Sequence, residues 1–263
     1  MSIGEQISEA YAWHRALGNP VRKGQFARYV VNPSTPDVWM TNHVQAPRAA
    51  VRADIDTLLF EMDEVFAHCS HRLVFLDPLT PPALEARLMA DGYTELDPTI
   101  QMLLSGSLTP RATLGDLILS VIETDDDWED LYRLMKADHA EGKRSFGMDL
   151  EDHVTRGLVL DMRRKSGPST VYLGWIGGKP VAYGSGVDCP GGLGMIEDIF
   201  TLPNYRGLGI ASALIGGAID HLRAQNKERP IFLGALAREG AKNLYRELGF
   251  EPVLVSRELI RNA

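Results

Sequence analysis

The residues whose types and spacing could do chemistry fall in one stretch, MIEDIFTLPNYRGLGIASALI at 195–215. It holds two adjacent carboxylates, Glu197 and Asp198, followed by the run Arg206-Gly207-Leu208-Gly209-Ile210-Ala211-Ser212. The apolar run ending near Leu202 reads as a strand, Pro203 and Asn204 as a turn, and the glycines as the opening of a helix. Small residues at 207, 209 and 211 let backbone N–H groups approach a ligand, the helix start adds a partial positive charge, and Arg206 adds a full one. That set would cradle a pyrophosphate.

Other readings of the loop remain open at this level. No Lys-Ser or Lys-Thr follows the glycines, so the nucleotide-triphosphate pattern is absent. A dinucleotide fingerprint wants an acid at the end of the next strand, and IFLGAL at 231–236 has none. A plain glycine turn ahead of a helix also fits a chain with 25 glycines.

The elements that must position this stretch repeat along the chain. Residues 74–96 align without a gap on 231–253, an offset of 157, pairing Val74 with Ile231, Phe75 with Phe232, Leu76 with Leu233, Gly92 with Gly249 and Tyr93 with Phe250. The same offset lays the helical pattern of 207–225 on 50–68 and the apolar run 195–202 on 38–45. The first half then offers strands near 26–31 and 37–44, a helix near 50–67, a strand at 72–77, a helix at 82–91 and strands near 93–96 and 100–105. The second half offers a strand at 117–124, two helices, strands at 170–176, 180–187 and 193–202, the glycine-led helix, a strand at 231–236, a helix at 239–248 and a strand at 251–260. The first of its helices starts in Asp125-Asp126-Asp127, which reads as a cap and dipole complement rather than a metal site; the second lies near 149–165. The turn-rich SGSLTP at 105–110 marks the seam, giving domains 1–108 and 109–263. The fold class is α/β, a mixed sheet with flanking helices.

The second half resembles the GNAT acyl-CoA N-acyltransferase superfamily, whose loop pattern Arg/Gln-x-x-Gly-x-Gly/Ala stands here as Arg206 to Ala211. The strand IEDIFT is similar to the LEDFFV strand of the spermidine/spermine acetyltransferase branch, and AKNLYRELGF resembles the family's A-x-x-L-Y-x-x-x-G-F segment. The resemblance covers about 115–263 and implies a tandem GNAT-like fold whose first unit is a degenerate copy. It implies acetyl-CoA as co-substrate and direct transfer of acetyl to a primary amine of a small molecule in a ternary complex. Glu197, nine positions before Arg206, then matches the family's base, with Asp198 the second choice; Tyr245 matches the acid that protonates the leaving thiolate. The backbone of Ile199, Phe200 and Thr201 would hydrogen-bond the pantetheine arm. Arg206 to Ser212 would hold the pyrophosphate. Where the family often has Asn before the last motif this chain has Arg238, which would meet a phosphate instead. The acceptor is expected near a loop at 139–149, with His139, Glu141, Arg144 and Phe146 as lining residues. At the 157 offset Glu197 falls on Met40, Tyr245 on Leu88 and the glycine loop on 49–54, so the first copy keeps no chemistry.

Strand alternation sets Glu197, Ile199 and Thr201 on one face and Asp198 and Phe200 on the other. The 27 Lys and Arg against 35 Asp and Glu give a net charge of −8, without the basic face that nucleic acid or an anionic membrane would need. Cys69 and Cys189 form neither a disulfide framework nor a metal-ligand pair, and the His68-Cys-Ser-His71 run offers two imidazoles but no third ligand, so no metal is expected. No segment reaches about 18 uninterrupted apolar residues. These features point to a soluble cytoplasmic chain, monomer or homodimer. Competing readings are a CoA-binding sensor or scaffold without turnover, and an acetyltransferase of protein N-termini or lysines.

Overall fold

The computed structural model describes residues 1–113, 115–146, 150–224 and 226–262, the side chains of 143–146 excepted. In chain order the elements are α1 (Ile3–Ala16), β1 (Val21–Lys23), β2 (Arg28–Val30), β3 (His43–Gln45), α2 (Arg52–Val65), β4 (His71–Leu76), α3 (Pro82–Ala90), β5 (Thr94–Glu95) and β6 (Thr99–Leu104). They continue with β7 (Ile118–Val121), α4 (Asp125–Phe146), α5 (Asp152–Arg164), β8 (Ser169–Ile176), β9 (Lys179–Asp188), β10 (Gly194–Thr201), α6 (Ile210–Leu222), β11 (Ile231–Leu236), α7 (Ala241–Glu247) and β12 (Glu251–Asn262). The fold is mixed α/β.

Two compact units result, and they follow strand pairing rather than chain order. One takes residues 1–101, 235–239 and 253–263; the other takes 102–234 and 240–252. Where sequence reasoning set one seam at 108/109, β12 ends the chain inside the first unit. The reason is its ladder: Arg257 to Asn262 pair antiparallel with Leu76 to His71 of β4.

In the first unit β1, β2 and β3 pair antiparallel, and β3 then pairs parallel with β4 through the α2 crossover. The core lies on the α2/α3 side, where Leu58, Met62, Leu84, Leu88, Val74, Tyr29 and Leu259 are closed to solvent. Helix α1 packs on the other face, its Tyr11 ring edge-on to Phe75 and its Ala12 carbonyl accepting from Gln45 Nε2 at 2.7 Å. The sequence reading assigns no element to 3–16, yet the residues that start this helix are there. Ser2 and Glu5 form a capping box, the Ser2 hydroxyl accepting from the Glu5 N–H while the Glu5 carboxylate accepts from the Ser2 N–H. The strand expected at 37–44 is a 3-10 turn at Trp39–Thr41 followed by only three strand residues. Thr41 and Asn42 bond the Val38 carbonyl there, closing a turn where a ladder had been expected.

In the second unit β7, β8, β9 and β10 are antiparallel neighbours in sequence order, and β10 pairs parallel with β11 through the α6 crossover. Thus β9-β10-α6-β11 repeats the handing of β2-β3-α2-β4, antiparallel then parallel. Helix α6 packs on one sheet face, where Ile210, Ala218 and Leu222 lie against the glycine positions 174 and 186. Helices α4 and α5 cover the other through Leu131, Leu134, Met135, Met162, Leu173, Tyr183 and Phe200. The cap of α4 is Thr124, one residue ahead of the acidic run in which it was expected: its hydroxyl accepts from the Asp127 N–H, while the Asp127 carboxylate accepts from the N–H groups of Glu123 and Thr124 and is held below the usual carboxylate range by them.

Candidate active site

The site is built where β10 leaves the ladder. Glu197 opposes Ser185 and Phe200 opposes Tyr183, so two residues, Asp198 and Ile199, stand against the single Gly184. This is a β-bulge, and Asp198 takes its left-handed turn with φ 58°. The left-handed region is less costly for Asp than for most residues.

The bulge corrects the strict alternation read from sequence. Residues directly opposite each other share a face, so Glu197 and Phe200 lie on the same side as Ser185 and Tyr183, the side covered by α4 and α5. Phe200 therefore sits with Glu197, not with Asp198 against it. Ile199 lies over Gly184 on the α6 side, and Thr201 opposes Ala182 on that same side. Glu197 is half-buried. The Glu197 carbonyl accepts from the Ser185 hydroxyl at 3.2 Å, which fixes the backbone just before the bulge.

On its other edge β10 has a short parallel ladder. Gly194 to Ile196 pair with Ile231 to Leu233, while β10 runs on to Thr201. Past Ile196 its edge toward β11 has no ladder partner in that strand, and the bulge turns the backbone there. An extended amide-bearing arm could add to such an edge as a strand does. The Thr201 hydroxyl is buried with no hydrogen-bond partner.

The glycine loop follows through a 3-10 turn at Pro203–Tyr205. Gly207 and Gly209 have φ of 76° and 78°, and Gly209 is the N-cap of α6, which starts at Ile210 rather than 207. The N–H groups of a helix's first turn have no intrahelical acceptor, so Ile210, Ala211 and Ser212 present donors and the positive end of the dipole. The two glycines do different work. A side chain at Gly207 would enter open space, so only its φ demands glycine. At Gly209 a Cβ would overlap the Ala112 carbonyl oxygen. The segment 106–112 lies along α6: Arg223 Nη1 donates to the Gly106 carbonyl at 2.9 Å, Leu108 reaches Gly216, the Thr109 N–H donates to the Leu248 carbonyl and Arg111 pairs with Glu247.

Arg206, read as a fixed charge for phosphate, is committed elsewhere. Its Nη1 and Nη2 both bond the Glu141 carboxylate at 2.7 Å, its Nε donates to the Thr201 carbonyl at 3.0 Å, and its guanidinium lies over the Phe200 ring. Leu208, between the glycines, is partly exposed. Tyr245 is buried on α7 with its ring against Phe250, and the Phe250 N–H donates to its carbonyl. Arg238 belongs to the first unit, where its N–H donates to Asp97 and its guanidinium is 3.7 Å from the same carboxylate.

The loop expected at 139–149 is instead helix as far as Phe146, so His139 and Glu141 stand on α4. Gly142 and the polar run around it hid the helix from a pattern reading. His139 bonds the Thr155 hydroxyl through Nδ1 at 2.8 Å, and burial lowers its pKa below the ordinary value. The Arg144 and Phe146 side chains lie outside the described residues. Sequence reasoning missed Asp138, whose carboxylate accepts from the Tyr183 hydroxyl at 2.7 Å; burial and the Asp138 and Asp198 charges hold that phenol well above its usual range. The available signal was the spacing of Asp138 and Glu141, three apart and hence on one helix face.

Cys189 lies near Glu197, but burial first and that carboxylate second push its thiol up to about 12, which keeps it protonated. Among the described residues no three His, Cys, Asp or Glu side chains gather as a metal site. His68 and His71 both turn to Asn42, the first to its side chain and the second to its carbonyl, each at 3.1 Å. No described helix is long and apolar enough to cross a membrane.

Residues 128–250, which hold β10, the glycine loop, α6 and α7, match the model of the acetyltransferase (GNAT) family. No curated protein matches the chain. Among solved structures, a GCN5-related N-acetyltransferase from Kribbella flavida is similar over 100% of this chain and 97% of its own, with 16% identity and a TM-score of 0.72. A conserved protein of unknown function from Staphylococcus epidermidis covers 93% of this chain and 94% of its own at 11% identity and 0.68. A tandem GNAT protein from the clavulanic acid biosynthesis pathway covers 92% of this chain and 81% of its own at 13% identity and 0.61. At these identities the likeness speaks for the fold, and it extends to a tandem arrangement.

Proposed function

We propose, from the GNAT family match over 128–250, that the chain transfers acetyl from acetyl-CoA to a primary amine of a small molecule. The observation that carries this reading is the meeting, on one strand and its following loop, of three features. These are a carboxylate beside a β-bulge, an edge left free by a short ladder, and a helix N-terminus opened by two left-handed glycines.

The residues fit acetyl-CoA. The N–H groups of Gly207 to Ser212 and the α6 dipole suit its pyrophosphate, and the free edge of Ile199 to Thr201 suits the amides of its pantetheine arm. The co-substrate supplies a thioester, whose carbonyl carbon accepts the amine nitrogen as the C–S bond breaks. An alkyl ammonium has a pKa of about 10.4 and must first lose a proton. Glu197 takes it, directly or through a water. Tyr245 gives its phenolic proton to the departing thiolate and recovers one from solvent. Transfer is direct in this reading, and Cys189, buried and held as a neutral thiol, takes no part in it. The IEDIFT strand favours a polyamine-like acceptor. The first half, in which the 157 offset lays Met40 on Glu197 and Leu88 on Tyr245, serves packing in this reading.

The test is thiol release from acetyl-CoA over polyamines, aminoglycosides, amino acids and peptide N-termini, with Glu197→Gln and Tyr245→Phe alongside. Turnover on a small amine, lost in both variants, is expected. CoA binding without turnover on any amine would instead make the chain a sensor, and turnover confined to peptides would make it a protein acetyltransferase.

A further inference from the structure

Phe200, the residue that closes the bulge, is held from two directions. The Tyr183 ring packs on it with centroids 5.6 Å apart, and the Arg206 guanidinium lies over it 5.8 Å from the centroid. Both of those partners are tied to the same helix. Asp138 of α4 accepts from the Tyr183 hydroxyl, and Glu141, one turn further on the same face, takes Arg206 in a bidentate pair. Arg206 also holds the end of β10 through the Thr201 carbonyl. Its Nε, Nη1 and Nη2 are thus each matched to a protein acceptor. A planar fork engaged at three points fixes geometry in a way a single charge contact does not.

We propose that Arg206 and Glu141, with Tyr183 and Asp138, are positioning residues that clamp α4 onto Phe200 and hold the bulge in register, and that Arg206 and Glu141 are contacts of neither phosphate nor acceptor. The proposal rests on the reading of β10 as the strand that presents Glu197 to the amine, and it revises the roles given above to Arg206 and Glu141. The first residue of the glycine-loop motif then acts on the catalytic strand behind it. The phosphates are left to backbone N–H groups.

Three substitutions on the full chain separate the possibilities: Glu141→Gln, Arg206→Gln and Arg206→Lys. Both members of the pair are partly exposed, at 33% and 47%, so these changes leave the cores untouched. The clamp predicts that CoA affinity by calorimetry stays within about threefold of wild type in all three, because no phosphate contact is removed. It predicts amide exchange in 195–204 faster by about tenfold or more, as a local opening loses its restraint. Turnover falls by about tenfold or more with little change in KM for acetyl-CoA, because the base is displaced rather than the cofactor. Arg206→Lys behaves like Arg206→Gln, since lysine keeps the charge but not the fork. The Glu141→Gln/Arg206→Gln double variant is no worse than Arg206→Gln alone, as members of one unit are non-additive. The result that overturns the proposal is loss of CoA affinity in Arg206→Gln, restored by Arg206→Lys, with exchange in 195–204 unchanged. Should wild type release no thiol with any amine, the functional reading fails while exchange and CoA affinity still decide the clamp.

Discussion

The loop before α6 and the loop before α2 occupy the same place in the same connection, antiparallel pair, crossover helix, parallel strand, and they are built from opposite materials. Before α6 stand an exposed arginine gripped by a neighbouring helix, two left-handed glycines and a helix start open to a ligand. Before α2 the chain has Ala49, fully buried in the core, and Val51 as an extended N-cap with no side-chain hydrogen bond. The strands differ likewise: β10 has eight residues and a bulge, whereas β3 has three and is preceded by a 3-10 turn. A crossover of this kind needs apolar faces on the helix and both strands, and both units have them. It does not need a glycine loop, a bulge or a carboxylate, and of the two crossovers the one at β10 and α6 has those. Packing and chemistry are separable demands on one scaffold.

That comparison breaks most visibly in turnover. Glu197→Gln is expected to lower kcat by about 10²–10⁴-fold while CoA binding survives, and Met40→Ala, in the 3-10 turn that the 157 offset lays on Glu197, to leave kcat unchanged. Initial rates of thiol release check both.

The cores should respond alike where the loops do not. Leu58 of α2 and Ile215 of α6 lie 157 residues apart and both are closed to solvent. Truncating either to alanine is expected to cost about 2–5 kcal/mol in denaturant unfolding, with only Ile215→Ala also weakening CoA binding.

A smaller contrast concerns Gly209, where alanine meets both a positive φ and the Ala112 carbonyl. Gly209→Ala should cost about 1–2 kcal/mol from the left-handed conformation, with the overlap adding to it. Arg52, which the 157 offset pairs with it, is exposed with a loose 3.9 Å pair to Asp56, and Arg52→Ala should stay within about 0.5 kcal/mol. Unfolding midpoints at one temperature read the difference.

The smallest effect is one the two units share. Burial lowers the pKa of His71 in the first and His139 in the second below the ordinary 6.5. Below that value the unfolded chain binds protons the folded chain refuses, so stability is full above it and falls as pH drops through the folded values. His71→Asn and His139→Asn should each flatten the loss of unfolding midpoint between pH 7 and pH 5.

Much of this was legible in the sequence, for reasons that differ by residue. The crossover helices and the strand at 231–236 follow from apolar periodicity, which burial enforces directly. The glycines at 207 and 209 announced a left-handed loop because side chains avoid that conformation. The bulge was hidden because alternation assumes one residue opposite one, and nothing in a pattern marks where the count becomes two. The clamp was hidden because Glu141 and Arg206 are 65 residues apart, and an ion pair across that distance leaves no local trace. The start of α1 is marked in the sequence by the capping-box spacing of Ser2 and Glu5.

The claim that one copy keeps a cofactor site and the other only its packing is tested most directly by titrating the whole chain with CoA in a calorimeter. One site per chain is predicted, abolished by Gly207→Val, which forces a branched side chain into a left-handed position. Two sites, or a single site that survives Gly207→Val, would contradict the account.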